Sequence, residues 1–291
     1  QLKNDEFFWE ISDYAWSPDS RWVCYTKVAY NRNSVVWLYS LDQRKAFDIT
    51  GDFYDNLNPC FDAGGGYLYF LSSRNFDVHM DFYEDNHILS APYQVMAVGL
   101  RAGEKPPFLD GDETAKMDKA DAAAPTPFRI DLEGIGARIW PLPVDPGNYL
   151  CLKASRGKVA WLSMPAFTED DYDYIFRPGP ESKYTLHIFD MADRKEVALE
   201  ETLRDYRLSA NGEQVILQKE KAFHVASLES LFKSRKPGDK LNLDTLTYTV
   251  EPRQEWAQIF TETWRWYRDF FYDPGMHGQD WKALGEQYRA C

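Results

Sequence analysis

A short polar turn, set between an aromatic residue and a run of strand formers, constrains the fold of this chain more than any other feature. It first appears as Ser17-Pro18-Asp19-Ser20, after Trp16 and before residues 22–25. Proline presets φ at the second turn position, and serine and aspartate side chains can hydrogen-bond nearby backbone groups. The residues after the turn are aromatic and β-branched, as in strands. The stretch therefore predicts a tight turn between two strands.

The same pattern returns twice along the chain. Phe61 takes the place of Trp16 about 45 residues later, with a glycine-rich turn behind it, and Leu208 takes it in a third copy. A repeat of about 40–45 residues built from short strands is typical of a β-propeller blade. We therefore expect a mainly β chain made of propeller blades.

The repeat divides most of the chain into about four antiparallel blades. In this division a strand at residues 128–132 opens the third blade, and a strand at residues 245–250 closes the fourth. The predicted blades are residues 11–50, 51–110, 128–200 and 201–250.

The hydrophobic pattern changes at Pro252. Apolar and aromatic residues then recur every three and four positions, which predicts an amphipathic helix, and Asp280 is a suitable N-cap for a second helix. We expect two domains: propeller blades at residues 1–250, with a mobile acidic and alanine-rich insertion at 110–127, and the start of a helical domain at 251–291.

Residues 75–92 interrupt the second predicted blade with a segment rich in aromatic, acidic and histidine residues. A long loop on a regular repeat is a usual place for recognition, and a solvated loop without a ligand is the alternative. Two histidines and neighbouring acids could ligate a divalent cation, but their spacing matches no metal motif, and we expect no metal. The candidate residues of a rim or partner loop are Phe76, His79, Phe82, Tyr83 and His87.

Composition and motifs exclude several functions. The net charge of −13 argues against nucleic-acid binding, and no apolar run approaches the length of a membrane span. The sequence contains no Gly-x-Ser-x-Gly, no phosphate-binding glycine loop and no His-Glu-x-x-His. His187 and His224 fall in strand patterns, where we interpret them as packed or hydrogen-bonded residues. We expect no catalytic residue and no cofactor in this chain.

Three segments together resemble the tricorn proteases. The first is the turn at residues 16–22 with its second copy at 61–77, and the second is residues 130–144. The third, residues 256–281, is the most specific, since it contains Arg268-Asp269-Phe270-Phe271-Tyr272-Asp273-Pro274 followed by Met276-His277-Gly278. The resemblance covers nearly the whole chain.

The resemblance implies the later blades of a second, seven-bladed propeller, followed by the first helices of a catalytic core. It implies a parent serine peptidase of the C-terminal-processing class, a homo-oligomer that degrades oligopeptides and is cytoplasmic or, alternatively, periplasmic. The propeller would gate or scaffold the access of peptide substrates. The catalytic residues of the family would lie beyond the end of this sequence, and His277 falls in a helix–loop motif that we interpret as structural.

Two other interpretations stay open on the sequence. A propeller of a prolyl-oligopeptidase-type peptidase uses similar turns but should lead into an α/β-hydrolase domain, which the aromatic helices after residue 252 disfavour. A TolB-like propeller that binds proteins without catalysis predicts no catalytic extension. The sequence downstream of Cys291 would separate all three.

Overall fold

The computed structural model describes residues 11–80, 87–104, 106, 127–165 and 184–289. The predicted mobile insertion at 110–127 lies outside the described residues except for its last residue. The chain divides into two compact units, residues 1–241 and residues 242–291. In the described part of the chain, no helix has the length and apolar character needed to cross a membrane.

Four four-stranded antiparallel sheets form the first unit, which confirms the prediction of a mainly β fold of about four blades. Within three sheets the strands follow chain order, and in the second sheet a two-stranded hairpin is inserted between neighbouring strands. The first sheet contains β1 (Ser12–Trp16), β2 (Trp22–Val28), β3 (Ser34–Ser40) and β4 (Lys45–Asp48). The second contains β5 (Asn56–Phe61) and β6 (Tyr67–Ser73), then the hairpin β7 (Asp77–Met80) and β8 (His87–Ser90), then β9 (Tyr93–Gly99) and β10 (Ile139–Pro141). The third contains β11 (Asn148–Ser155), β12 (Lys158–Met164), β13 (Tyr184–Asp190) and β14 (Lys195–Leu203), and the fourth β15 (Asp205–Leu208), β16 (Gln214–Lys219), β17 (Ala222–Ser227) and β18 (Asp239–Lys240).

The recurring turn has the same hydrogen bonds in the first and fourth sheets. Ser17 N–H donates to the carbonyl of Trp22 at 2.9 Å, and the Ser17 hydroxyl donates to Asp19 Oδ1 at 2.6 Å. In the fourth sheet Ser209 N–H donates to the Gln214 carbonyl at 2.9 Å, and its hydroxyl donates to Asn211 Oδ1 at 2.7 Å. The hydroxyl oxygens of Ser17 and Ser209 also accept bonds from Trp22 N–H and Gln214 N–H, each at 2.9 Å, so side chains satisfy the backbone at the turn, as the sequence predicts.

The boundary between the second and third blades differs from the prediction. Ile139 pairs with Val98, so β10 is the outer strand of the second sheet rather than part of the third blade. Residues 128–132, predicted as a strand, form none. Instead the Phe128 ring packs edge-on against Phe61, with ring centroids 5.9 Å apart, and covers the second sheet's core.

The fourth blade also ends differently. A helix, α1 (Leu228–Ser234), follows β17, with Ser227 as its N-cap and Leu231 buried. The strand predicted at residues 245–250 is wrong, because the outer strand of this sheet is β18. The last backbone bond to β17 is Leu241 N–H to the Phe223 carbonyl, at 2.8 Å. Among the described residues, 244–250 belong to no strand.

The cores of the first unit lie between neighbouring sheets. Three clusters of buried side chains fill the three successive interfaces, as expected where blades pack face to face. Fully buried side chains from the two sides of each interface are Leu38 and Phe70, Leu71 and Trp161, and Leu186 and Leu217.

The second unit contains two helices, as predicted. α2 (Pro252–Phe270) starts with proline at its first position, and α3 (Trp281–Arg289) is capped by Asp280, whose Oδ1 accepts a bond from Ala283 N–H at 2.9 Å. The Trp264 and Trp281 rings stack at 6.3 Å and 12°, and each indole N–H donates to the other residue's carbonyl, at 3.1 and 3.2 Å. This reciprocal pair holds α2 against α3.

Candidate functional site

The first strands of the sheets are linked through a repeated irregularity of the backbone. β1, β5 and β11 each contain a break in register, at which Asp13, Asn58 and Cys151 adopt left-handed φ values of 53°, 50° and 56°. Asn58 N–H donates to Asp13 Oδ2 at 3.1 Å, and Cys151 N–H donates to Asn58 Oδ1 at 2.8 Å. The Tyr206 hydroxyl then donates to the Cys151 carbonyl at 2.7 Å. A chain of hydrogen bonds therefore joins all four blades.

A buried carboxylate links the second and third blades near the turns. Asp62 occupies the position of Ser17 in the second copy of the turn and is 8% exposed. Its Oδ1 accepts a bond from Gly157 N–H, in the turn between β11 and β12, at 3.3 Å. Burial raises the pKa of Asp62, against the opposing effect of the backbone N–H groups that it accepts from.

The predicted rim loop is organised by the hairpin of β7 and β8. Asn75 closes its base, since its N–H donates to the Pro92 carbonyl at 3.1 Å. Val78 pairs with Leu89, and these side chains are 48% and 39% exposed. Phe76, just before the hairpin, is 67% exposed. The hairpin thus presents apolar side chains to solvent on an otherwise packed blade.

The other candidate residues of this loop are only partly described. His87 pairs with Met80 and His79 with Ile88, so the two histidines are not a cross-strand pair. Phe82 and Tyr83 lie outside the described residues, as do the side chains of the two histidines. Among the described residues, no group of three or more histidine, cysteine, aspartate or glutamate side chains could hold a metal ion.

The helical unit has a second apolar surface. An open cavity of about 510 Å³ on α2 is lined mainly by aromatic side chains. Trp266 and Phe270, which belong to this lining, are 69% and 68% exposed. The lining residues are Glu262, Thr263, Trp266, Tyr267, Phe270 and Phe271.

His277 lies in the loop that joins the two helices. Its Nε2 is 2.5 Å from the Tyr272 hydroxyl oxygen, and its backbone N–H donates to Asp273 Oδ2 at 2.8 Å. Asp273 Oδ1 also accepts a bond from Gly275 N–H at 2.9 Å. The aspartate and the histidine together hold the loop in its turn.

The sequence interpretation missed a polar constellation on the third sheet. Ser163 Oγ lies 2.7 Å from His187 Nε2, and His187 Nδ1 lies 2.5 Å from Glu196 Oε1. The three residues come from β12, β13 and β14. Sequence analysis placed His187 in a strand as a packed or hydrogen-bonded residue, but only the strand register brings a serine and a glutamate to its two nitrogens.

Two family models match this chain. The model described as the second β-propeller domain of tricorn protease matches residues 2–229, and that of the tricorn protease C1 domain matches residues 252–291. The strand unit and the helical unit therefore each have a counterpart in one family.

Curated relatives match over most of this chain. A tricorn protease homolog 1 from Streptomyces coelicolor is 26% identical, over 96% of this chain and 27% of its own length. The tricorn protease of Thermoplasma volcanium is 25% identical, over 96% and 26% respectively. A tricorn-like protease C-terminal subunit from Sulfurisphaera tokodaii is 28% identical, over 96% and 31%. The chain thus spans between a quarter and a third of the length of these relatives.

A solved structure shares the fold. The crystal structure of the tricorn protease superposes with a TM-score of 0.73 at 23% identity, over 96% of this chain and 27% of that one. The blades, the helices after residue 252 and the family models agree, and the chain belongs to the tricorn protease family.

Proposed function

We propose that this chain is a non-catalytic part of a tricorn-like serine peptidase that degrades oligopeptides. The match to the second-propeller model over residues 2–229 carries this proposal. The match to the C1 model over 252–291 supports domain boundaries of 1–250 for the propeller blades and 251–291 for the start of the helical core. The parent is a hydrolase of the C-terminal-processing class in this proposal.

The propeller's role in this proposal is to scaffold or gate the access of peptides to the core. The hairpin of β7 and β8 is the part of the described blades suited to it. Phe76, Val78 and Leu89 are apolar and exposed, and exposed apolar clusters are usual at contact surfaces. The hairpin therefore covers a propeller mouth or seals a subunit contact.

Deleting residues 76–90 from the full-length parent tests this role. Asn75 and Pro92 are joined by a hydrogen bond, so a short link can close the gap without moving β6 or β9. We expect a changed oligomer size or a changed turnover of long peptides, with cleavage of very short peptides kept. A matched variant, Val78→Ser with Leu89→Ser, keeps the hairpin and removes its apolar surface. If both variants leave assembly and long-peptide turnover unchanged, the role is refuted.

A second experiment tests the assignment of the activity. The parent should lose peptidase activity to a serine-directed covalent inhibitor, because an acyl-enzyme needs a serine nucleophile. This 291-residue chain alone should not hydrolyse a fluorogenic peptide. Turnover that survives repurification of the isolated chain would contradict the proposal, and so would a parent insensitive to the inhibitor.

We further propose that the parent is a cytoplasmic homo-oligomer acting on peptide substrates, with the periplasm as the alternative compartment. Cys24, Cys60 and Cys151 are free thiols, which fits a reducing compartment. The net charge of −13 does not favour nucleic acid as a partner. Light scattering of the purified parent would test the assembly, and a monomer would refute it.

A further inference from the structure

Three neighbouring strands of the third blade place a serine, a histidine and a glutamate in one line of hydrogen bonds. His187 in β13 is directly opposite Trp161 in β12, and Ser163 lies two residues further along β12. Glu196 in β14 is opposite Phe189, two residues from His187. Because side chains two residues apart share a face of a strand, the sheet register itself sets this arrangement.

The roles of the three groups follow from their hydrogen-bonding capacities. When Glu196 is ionised it can only accept, so a neutral His187 imidazole in this contact has its proton on Nδ1 and donates it across the 2.5 Å distance. His187 Nε2 is then an acceptor and faces the Ser163 hydroxyl at 2.7 Å. This is the relation of nucleophile, general base and orienting acid found in serine hydrolases of unrelated folds.

Neighbouring rings fix the imidazole. The Trp161 ring stacks on His187 at 5.5 Å and 5°, and the Tyr149 ring lies 5.9 Å from it. Tyr149 is held in turn by a bond from its hydroxyl to the Asp145 carbonyl at 2.6 Å. Burial, with a smaller effect of the Glu196 charge, raises the pKa of Tyr149 to about 12. The Tyr149 side chain beside the imidazole is therefore uncharged at neutral pH. The imidazole is thus packed against two uncharged rings.

The constellation is not sealed from solvent. The His187 side chain is 15% exposed and that of Glu196 is 31% exposed, while Ser163 is half-buried. A small electrophile can therefore approach the serine without unfolding the blade.

We propose that Ser163 is a reactive nucleophile that accepts an acyl or phosphonyl group from small activated donors, with His187 as general base and Glu196 as its positioning residue. This goes beyond the proposed role of the propeller in peptide access. With an ester, Ser163 Oγ forms a bond to the acyl carbon and its proton passes to His187 Nε2. The bond from carbon to the leaving oxygen breaks, and that oxygen takes the proton from the imidazolium. Water repeats the sequence and releases the acid.

The sheet also limits what this serine can do. β12 lies between β11 and β13, so the backbone N–H groups beside Ser163 point toward ladder partners rather than toward a substrate oxyanion. A missing oxyanion donor costs about 10²–10³ in rate. We therefore expect reaction with activated donors and slow release, and no hydrolysis of peptide bonds.

A fluorophosphonate probe tests the proposal on this 291-residue chain. The serine displaces fluoride from phosphorus, and intact mass with peptide mapping locates the adduct. We expect one adduct, on Ser163, absent from Ser163→Ala. Labelling should slow at least about ten-fold in Glu196→Gln, because an amide can hold the wrong tautomer, and recover largely in Glu196→Asp. Ser73→Ala, a half-buried serine in β6, is the matched control and should label normally.

A second variant keeps the test informative if the alanine variant unfolds. Ser163→Cys preserves the shape of the site, and iodoacetamide should alkylate position 163 faster than it alkylates N-acetylcysteine at the same pH. Near-UV circular dichroism establishes that each variant is folded. The proposal is overturned if the folded chain takes no adduct, if the adduct lies elsewhere, or if Glu196→Gln labels at the normal rate. Alkylation of Ser163→Cys no faster than that of N-acetylcysteine also overturns it.

Discussion

The strand unit and the helical unit use the same kinds of aromatic residue in opposite surroundings. Phe70 in β6 is fully buried, whereas Phe270 at the end of α2 is 68% exposed. Among the described residues of α2 none is buried, although its apolar residues follow a clear helical period. Periodicity in the sequence therefore determines which face of a helix or strand is apolar. Whether the side chains of that face are buried depends on a neighbouring element that packs against them.

Each blade supplies the cover for its neighbour. The first and second sheets share one core, the second and third share another, and the third and fourth share the last. In the helical unit α2 and α3 meet mainly through the Trp264 and Trp281 pair. Two helices alone bury little surface, so the stability of this unit depends on a few contacts.

Replacing one phenylalanine in each unit by alanine should give the largest difference in free energy of unfolding between the units. Phe70→Ala should lower the free energy of unfolding of the strand unit by about 3–5 kcal/mol, because it leaves a cavity in a closed core. Phe270→Ala should change stability by less than about 0.5 kcal/mol. Urea denaturation followed by circular dichroism measures both. Equal losses would show that α2 is covered in solution, and the comparison would fail.

The packing of the two helices should be sensitive to a single methyl group. A Cβ at Gly285 would lie 2.4 Å from Trp264 Nε1, so Gly285→Ala must displace the indole. We expect a loss of about 1–3 kcal/mol in the helical unit, as for other overpacked sites. The near-UV signal of the stacked tryptophans should fall.

The neighbouring exposed residue provides the control for this variant. Glu286→Ala changes the same helix without touching Trp264 and should keep the near-UV signal. A Gly285→Ala variant with an unchanged signal would mean that the tryptophan pair does not hold the helices together.

At the left-handed positions of the first strands, one substitution should stabilise the fold and its reverse should destabilise it. Cys151 adopts a φ of 56°, which asparagine tolerates better than cysteine. Cys151→Asn should therefore raise stability by about 0.5–1 kcal/mol. The reciprocal change, Asn58→Cys, loses both the tolerant residue and the acceptor for Cys151 N–H and should cost about 1–2 kcal/mol. Thermal denaturation of both variants checks the signs, and a stabilised Asn58→Cys would contradict the account.

The smallest expected effect concerns pH. The folded pKa of Asp62 is raised above its unfolded value, mainly by burial. The ionised side chain therefore opposes folding at neutral pH, and this cost disappears as pH falls through the folded pKa toward the unfolded one. Thermal denaturation of Asp62→Asn and of the unaltered chain checks this. The gain in unfolding midpoint that Asp62→Asn gives over the unaltered chain should be larger at pH 7 than at pH 4. Asp52→Asn, at an exposed position, should show no such change. A difference for Asp62→Asn that is independent of pH would refute the mechanism.

The sequence predicted those elements whose signals are local. The turn at Ser17, the helix after Pro252 and the N-cap at Asp280 each depend on residues a few positions apart. α1 was missed although Ser227 and the spacing of Leu228 and Leu231 indicate a capped helix, because the repeat favoured strands there. β10 was misplaced because it pairs with β9 across a long insertion.

The candidate sites show the same limit. Phe76 was identified as part of an exposed loop, since a break in the repeat is visible in the sequence. The relation of Ser163, His187 and Glu196 was not, because it depends on the register of three strands. Alternation places each residue on a face, and only pairing brings the three side chains together.

The chain of hydrogen bonds through Asp13, Asn58 and Cys151 has a consequence for how such a protein can grow. The second and third blades each donate a bulge N–H to the blade before and accept a bond from the blade after on an oxygen of the same residue. A duplicate of such a blade would contain both the N–H donor and the oxygen acceptor of this connection. Blade number can therefore change by duplication of such a blade, because the copy carries both the donor and the acceptor that join neighbouring blades.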